Sequence, residues 1–207
     1  MATQHGLHGF HVGGRFNWHA RTEMATTARA GTQAAVGTRE AAIATLRVGT
    51  GFIFFWAFLD KTFGLGYSTP SARAWIHGGS PTKGFLSSVD VGPFQSMFHA
   101  WAGKQWADWL FMIGLAGIGA ALILGIGMRI ATAAGVLLVA LMWFAVFPPA
   151  RHTATGTATG STNPFLDEHV LEALVLVALA AFGVGSRLGL GSMWQRIPVV
   201  KRHQALR

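Results

Sequence analysis

The fold is decided by WLFMIGLAGIGAALILGIGM (Trp109–Met128), the single Arg129 after it, and IATAAGVLLVALMWFAVF (Ile130–Phe147). A helix needs about 20 mostly apolar residues to cross a bilayer, and both runs have that length and carry no charge. The polar break between them is only Gly127-Met128-Arg129, so the two spans must form an antiparallel hairpin. Pro148-Pro149 ends the second run.

Two further apolar runs flank the hairpin. One covers 41–59 and contains Arg47; the other covers 169–186 and carries Glu172 in its first turn. The expected fold is therefore an all-α integral membrane protein, a four-span antiparallel helix bundle spanning 41–59, 109–128, 130–147 and 169–186. Composition agrees. Hydrophobic residues make up 51% of the 207 and charged residues 12%, about half the usual share of a soluble domain. Mean hydropathy is +0.41. This excludes a soluble enzyme built on its own aqueous core.

The chain has no cysteine, which removes disulfides, thiolate nucleophiles, iron–sulfur clusters and c-type haem attachment. The net charge is +8. No basic, aromatic-interleaved patch accompanies it, so no nucleic-acid partner is expected; topology control and attraction to anionic headgroups explain the charge. Placing Arg129 in the cytoplasm puts both termini there. Arg15, Arg21, Arg29, Arg39, Arg129, Arg187, Arg196, Lys201, Arg202 and Arg207 then lie inside, against Lys61, Arg73, Lys83, Lys104 and Arg151 outside. That is the bias of a multi-pass plasma-membrane protein.

Residues 1–38 read as a basic cytoplasmic tail, disordered or weakly helical, 39–187 as the membrane domain and 188–207 as a second basic tail. The outer loop, 61–107, is not simply polar. Pro93 can open a helix in which Phe94, Met97, Phe98 and Trp101 form one apolar stripe, an interfacial helix on the outer rim. Ser71–His77 is a second short candidate, and 151–163 reads as a mobile, low-complexity loop. Gly117, Ala121 and Gly125, with Ala131 and Gly135 on the next span, have the spacing of close helix contacts. Six Trp (56, 75, 101, 106, 109 and 143) gather at the outer interface.

Several runs resemble the DoxX/DoxD membrane family: WAFLDKTFGLGY (Trp56–Tyr67), AWIHGGSPTKGFL (Ala74–Leu86), Gly92-Pro93-Phe94, DWLFMIGL (Asp108–Leu115) and NPFLDEH (Asn163–His169). The resemblance covers roughly residues 46–187. It implies a four-helix bundle in a bacterial cell membrane. It also implies a quinone-linked role like that of the small membrane subunit of thiosulfate:quinone oxidoreductase, with electrons arriving from a partner. The alternative is a non-catalytic accessory subunit of a larger respiratory membrane complex; solute transport is a third reading, against which no polar path joins Arg47 to Glu172. The expected partners are the lipid bilayer and other subunits of such a complex.

Ionisable groups at membrane depth are functional candidates. His169 and Glu172 stand at i, i+3 on the opening turn of the last span and share a face. A quinone headgroup needs hydrogen-bond partners for two carbonyls and a route for two protons, which a histidine–carboxylate pair can supply. In this reading His169 and Glu172 are catalytic, and Asp60, Lys61, Trp56 and Trp101 bind the quinone cofactor. Lys61 could meet Glu172 or Asp167 in a buried ion pair. Arg47 lies about 20 Å from Asp60 at the helical rise and belongs to another place, holding a lipid phosphate or a partner's carboxylate, or snorkelling inward. His5, His8 and His11 recur every three residues but lack completing ligands. No bound metal or haem is expected.

Overall fold

Among the described residues there are eight α-helices: α1 Trp18–Phe63, α2 Lys83–Ser87, α3 Gln95–Trp101, α4 Gln105–Leu124, α5 Met128–Val146, α6 Glu168–Phe182, α7 Gly191–Trp194 and α8 Pro198–Arg202. The structure is a computed structural model that describes residues 18–182, 189–203 and 206, with side chains from residue 37 onward. The His5, His8 and His11 row lies outside the described residues. No strand occurs among the described residues, apart from an isolated bridge between His152 and Ala158.

The chain divides into two compact units, residues 1–39 and 40–207. In the first, the described backbone is the start of α1. The backbone there is helical from Trp18 onward. Ala, Arg, Met and Gln are good helix formers, and extending an existing helix is far easier than nucleating a new one.

Among the described residues, three helices are long and apolar enough to cross a membrane: Gly37–Phe63 within α1, Gln105–Leu124 and Met128–Val146. α6 is described over fifteen residues, and the expected continuation of a fourth span through 183–186 lies outside the described residues. The α4–α5 turn also shifts by a few residues from the expected bounds. Gly125 at φ 72° and Gly127 at φ 54° cap the two helices, so Met128 and Arg129 fall in the first turn of α5. Only glycine takes this left-handed backbone without a Cβ clash.

Four helices share one core. Phe54 of α1, Met112, Leu115, Ile118 and Leu122 of α4, Met128 and Val139 of α5, and Leu176 and Leu179 of α6 form a single buried cluster. Neighbouring helices run antiparallel. A Cβ on Gly51 would meet Leu122 at 2.8 Å, and one on Gly119 would meet the Phe55 backbone at 2.6 Å. On the other side, a Cβ on Gly135 would meet Leu176 at 2.8 Å. The expected small-residue contact is thus found at Gly135 but not at Gly117, beside which there is open space, nor at Gly125, which caps α4. The face of α4 that meets α1 is set by Gly119 and Leu122, neither of which belongs to the 117/121/125 row.

The end of α1, the starts of α4 and α6, and the end of α5 therefore gather at one end of the bundle, with the 64–104 segment folded over it. Ser71–Arg73 and Trp75–His77 are single 3₁₀ turns rather than one helix. α3 forms as expected and buries Phe98 against Val89 and Ala145. The Trp cluster is real: Trp75 and Trp109 rings lie 4.7 Å apart, and Trp101 and Trp106 rings 5.4 Å apart. The 151–160 loop is pinned, not free. Asp90 Oδ2 accepts the Ala154 amide at 2.6 Å, and the Thr153–Thr157 turn closes by backbone bonds.

Candidate functional site

The six residues expected to form one site stand in three places. The first is the opening of α6. Asn163 Oδ1 accepts the amides of Phe165 and Leu166, a turn that sets the approach to the helix. Asp167 caps it: its Oδ1 accepts the Val170 amide at 3.2 Å. Its other oxygen, Oδ2, meets Nδ1 of the buried His169 at 2.7 Å. Asp167 thus fixes the imidazole orientation. His169 Nε2 makes no hydrogen bond among the described residues. Glu172, one turn on, is half-buried and likewise unbonded among them. Ligand atoms of Asp167, Glu168 and His169 lie within 4.8 Å of one another, a spacing a cation would also tolerate.

The second place is a small niche of about 380 Å³, lined by Phe52, Ile53, Trp56, Ala57, Asp60, Tyr67 and Ser68. Asp60 is fully buried. Its oxygens accept the Tyr67 amide at 3.1 Å, the Ser68 amide at 3.0 Å and the Ser68 hydroxyl at 2.7 Å. Trp56 and Tyr67 pack edge to face, 5.2 Å between centroids, over the same turn. Here the carboxylate's work is structural. It satisfies the amides of a loop that has no helix or strand to do so.

The third is a large cavity of about 1350 Å³. Lys61 and Trp101 both line it, with Arg73, His77, Lys83 and a trough of α4 and α5 side chains. Lys61 donates to Ser68 Oγ at 3.4 Å. It forms no ion pair with Glu172 or Asp167; the single ion pair identified among the described residues that involves these groups is His169–Asp167. His169 and Glu172 line neither cavity. Asp60 and Lys61 are adjacent in sequence, so on a helix they face about 100° apart and serve different cavities.

Sequence reasoning overlooked Asp108. It is buried in the first turn of α4, and its Oδ1 accepts the Ser80 hydroxyl at 2.8 Å, the Thr82 amide at 2.9 Å and the Thr82 hydroxyl at 2.6 Å. The signal was an acid opening an otherwise apolar span, the same pattern that singled out Glu172.

Arg47 does not snorkel. It is buried at 2% exposure, where the α4 C-terminus meets the 189–190 turn; the Leu190 amide donates to the Leu124 carbonyl at 2.8 Å, and a Cβ on Gly189 would lie 3.0 Å from an Arg47 Nη. A cation there complements the negative end of α4.

No family model matches the chain, and no curated protein or solved structure compared with it shows a significant match.

Proposed function

We propose that this chain is the membrane subunit of a quinone-linked redox system, a four-span bundle in which α6 completes the fourth crossing. The observation that supports it best is the Asp167–His169 pair at the mouth of α6: a buried imidazole held on Nδ1 by a carboxylate, with Nε2 left without a partner among the described residues. The resemblance to the DoxX/DoxD family supports the same reading.

These residues offer the hydrogen-bonding and proton-exchanging groups that a quinone headgroup would need, and a headgroup would reach them from outside the two cavities described above. A quinone, when bound, accepts two electrons and two protons. Asp167 holds the neutral tautomer in which Nδ1 carries the proton and Nε2 accepts; with both nitrogens protonated, Nε2 would donate to a quinone carbonyl oxygen while Nδ1 stays bonded to the Asp167 carboxylate. Glu172, one turn deeper on the same face, would exchange protons with the imidazole, which stands nearer the bundle's end. Electrons come from an outward-facing partner, since the chain has no cysteine with which to hold a cluster. Lys61, Trp101, Asp60 and Trp56 stand apart from this pair and act in other ways.

The test is quinone reduction by the purified assembly. His169→Gln keeps a polar side chain of similar reach but not the ring or its basicity, and is expected to lower turnover by about 10²-fold or more. Asp167→Asn is expected to lower it less and to shift the pH profile. Unchanged turnover in His169→Gln would refute the assignment and favour the accessory-subunit reading.

A further inference from the structure

The large cavity has two chemically different ends. At one, the end of α1 and the 68–87 segment bring together Lys61, Arg73 and Lys83, with His77 beside them. Among the described residues no Asp or Glu lines the cavity. Asp60 lines the smaller niche and accepts from Tyr67 and Ser68, and the buried Asp108 accepts from Ser80 and Thr82. Neither Arg73 nor Lys83 forms an ion pair among the described residues. The other end is a trough between α4 and α5, walled by Leu110, Phe111 and Gly114 on one helix and Ala134, Leu137 and Leu141 on the other. From Leu110 to Ile118 the trough runs about 12 Å along α4.

We infer that this cavity seats an anionic glycerophospholipid, its phosphate among Lys61, Arg73 and Lys83 and an acyl chain along the α4–α5 trough. The volume, about 1350 Å³, exceeds the roughly 300–1,000 Å³ of a small-molecule pocket. Three cations, of which Asp60 offsets only Lys61, select a head with net negative charge; a neutral quinone ring gains little from them, and a zwitterionic head brings its own cation into the cluster. A free anion leaves the apolar trough unused. The inference does not depend on the quinone reading, which concerns the opening of α6.

The test uses the full-length chain, stripped of lipid in detergent. Phosphatidylglycerol, phosphatidylcholine and inorganic phosphate are added separately, and bound adducts are counted by native mass spectrometry. A one-to-one phosphatidylglycerol adduct is expected, at least about tenfold tighter than that of phosphatidylcholine, with no retained phosphate. The double variant Arg73→Gln/Lys83→Gln, both exposed positions, is expected to lose that preference, while Arg151→Gln, a cation outside the cavity, keeps it. Ala134→Phe, which fills the trough, is expected to weaken both lipids. Equal binding of the two lipids, an unaffected double variant, or retention of phosphate alone would overturn the inference. So would displacement of phosphatidylglycerol by an equimolar prenyl quinone.

Discussion

Asp60 and Asp108 show how one residue type is reused at this end of the bundle. Each is buried and neither has a cationic partner in its hydrogen-bonding set: Asp60 accepts from the Ser68 hydroxyl and the Tyr67 and Ser68 amides, Asp108 from the Ser80 and Thr82 hydroxyls and the Thr82 amide. Hydrogen bonds to a charged acceptor contribute about 1.5–3 kcal/mol each, and truncating the acceptor strands several donors at once. Asp60→Ala and Asp108→Ala are each expected to destabilise the protein by about 3 kcal/mol or more, seen as a lower melting temperature in detergent. Asn, which keeps one acceptor oxygen, is expected to retain about half of that stability. A melting temperature unmoved by Asp108→Ala would show that the 80–82 turn holds without it. From the sequence, Asp60 read as a cofactor ligand. Its true partners, Tyr67 and Ser68, follow it by a single loop whose path no periodicity encodes. His169 was legible for the opposite reason: its orienting group, Asp167, sits two positions away on the same helical turn.

At the scale of elements, the tightest joint is the crossing of α1 and α4 at Gly51 and Gly119. Backbones approach there until a methyl group has no room. Without a hydrophobic driving force between helices in lipid, such close van der Waals contact is a main source of association. Gly119→Ala is therefore expected to push the helices apart and cost about 1–3 kcal/mol. Gly117→Ala meets nothing within 4 Å and is expected to gain up to about 1 kcal/mol from helix propensity. Thermal melts of the pair decide it, and equal effects would place the joint elsewhere. The hairpin, the apolar runs and α3 were all visible as periodic or unbroken patterns. Which glycine of a Gly-rich span faces a neighbour was not, because Gly114, Gly117 and Gly119 differ only in the rotation that tertiary packing selects.

At the scale of the whole molecule, α1, α4, α5 and α6 contribute to a common core, and the proposed fourth crossing by α6 would put α7 and α8 on the far side from the covering segment. The chain's lack of cysteine makes this directly measurable. Ser87→Cys, before α3, and Ser192→Cys, in α7, are expected to react with a membrane-impermeant thiol reagent from opposite faces of sealed vesicles. Labelling from one face would leave three crossings and return α6 to the surface. The covering segment also contains its own optical probe. The indoles of Trp75, in that segment, and Trp109, on α4, sit 4.7 Å apart at an interplanar angle of 74°. At that distance two identical chromophores share their excited state, so the pair should yield a paired positive and negative band in circular dichroism. The band is present only while the segment lies on the bundle, and its loss would time the lifting of that segment without any added dye.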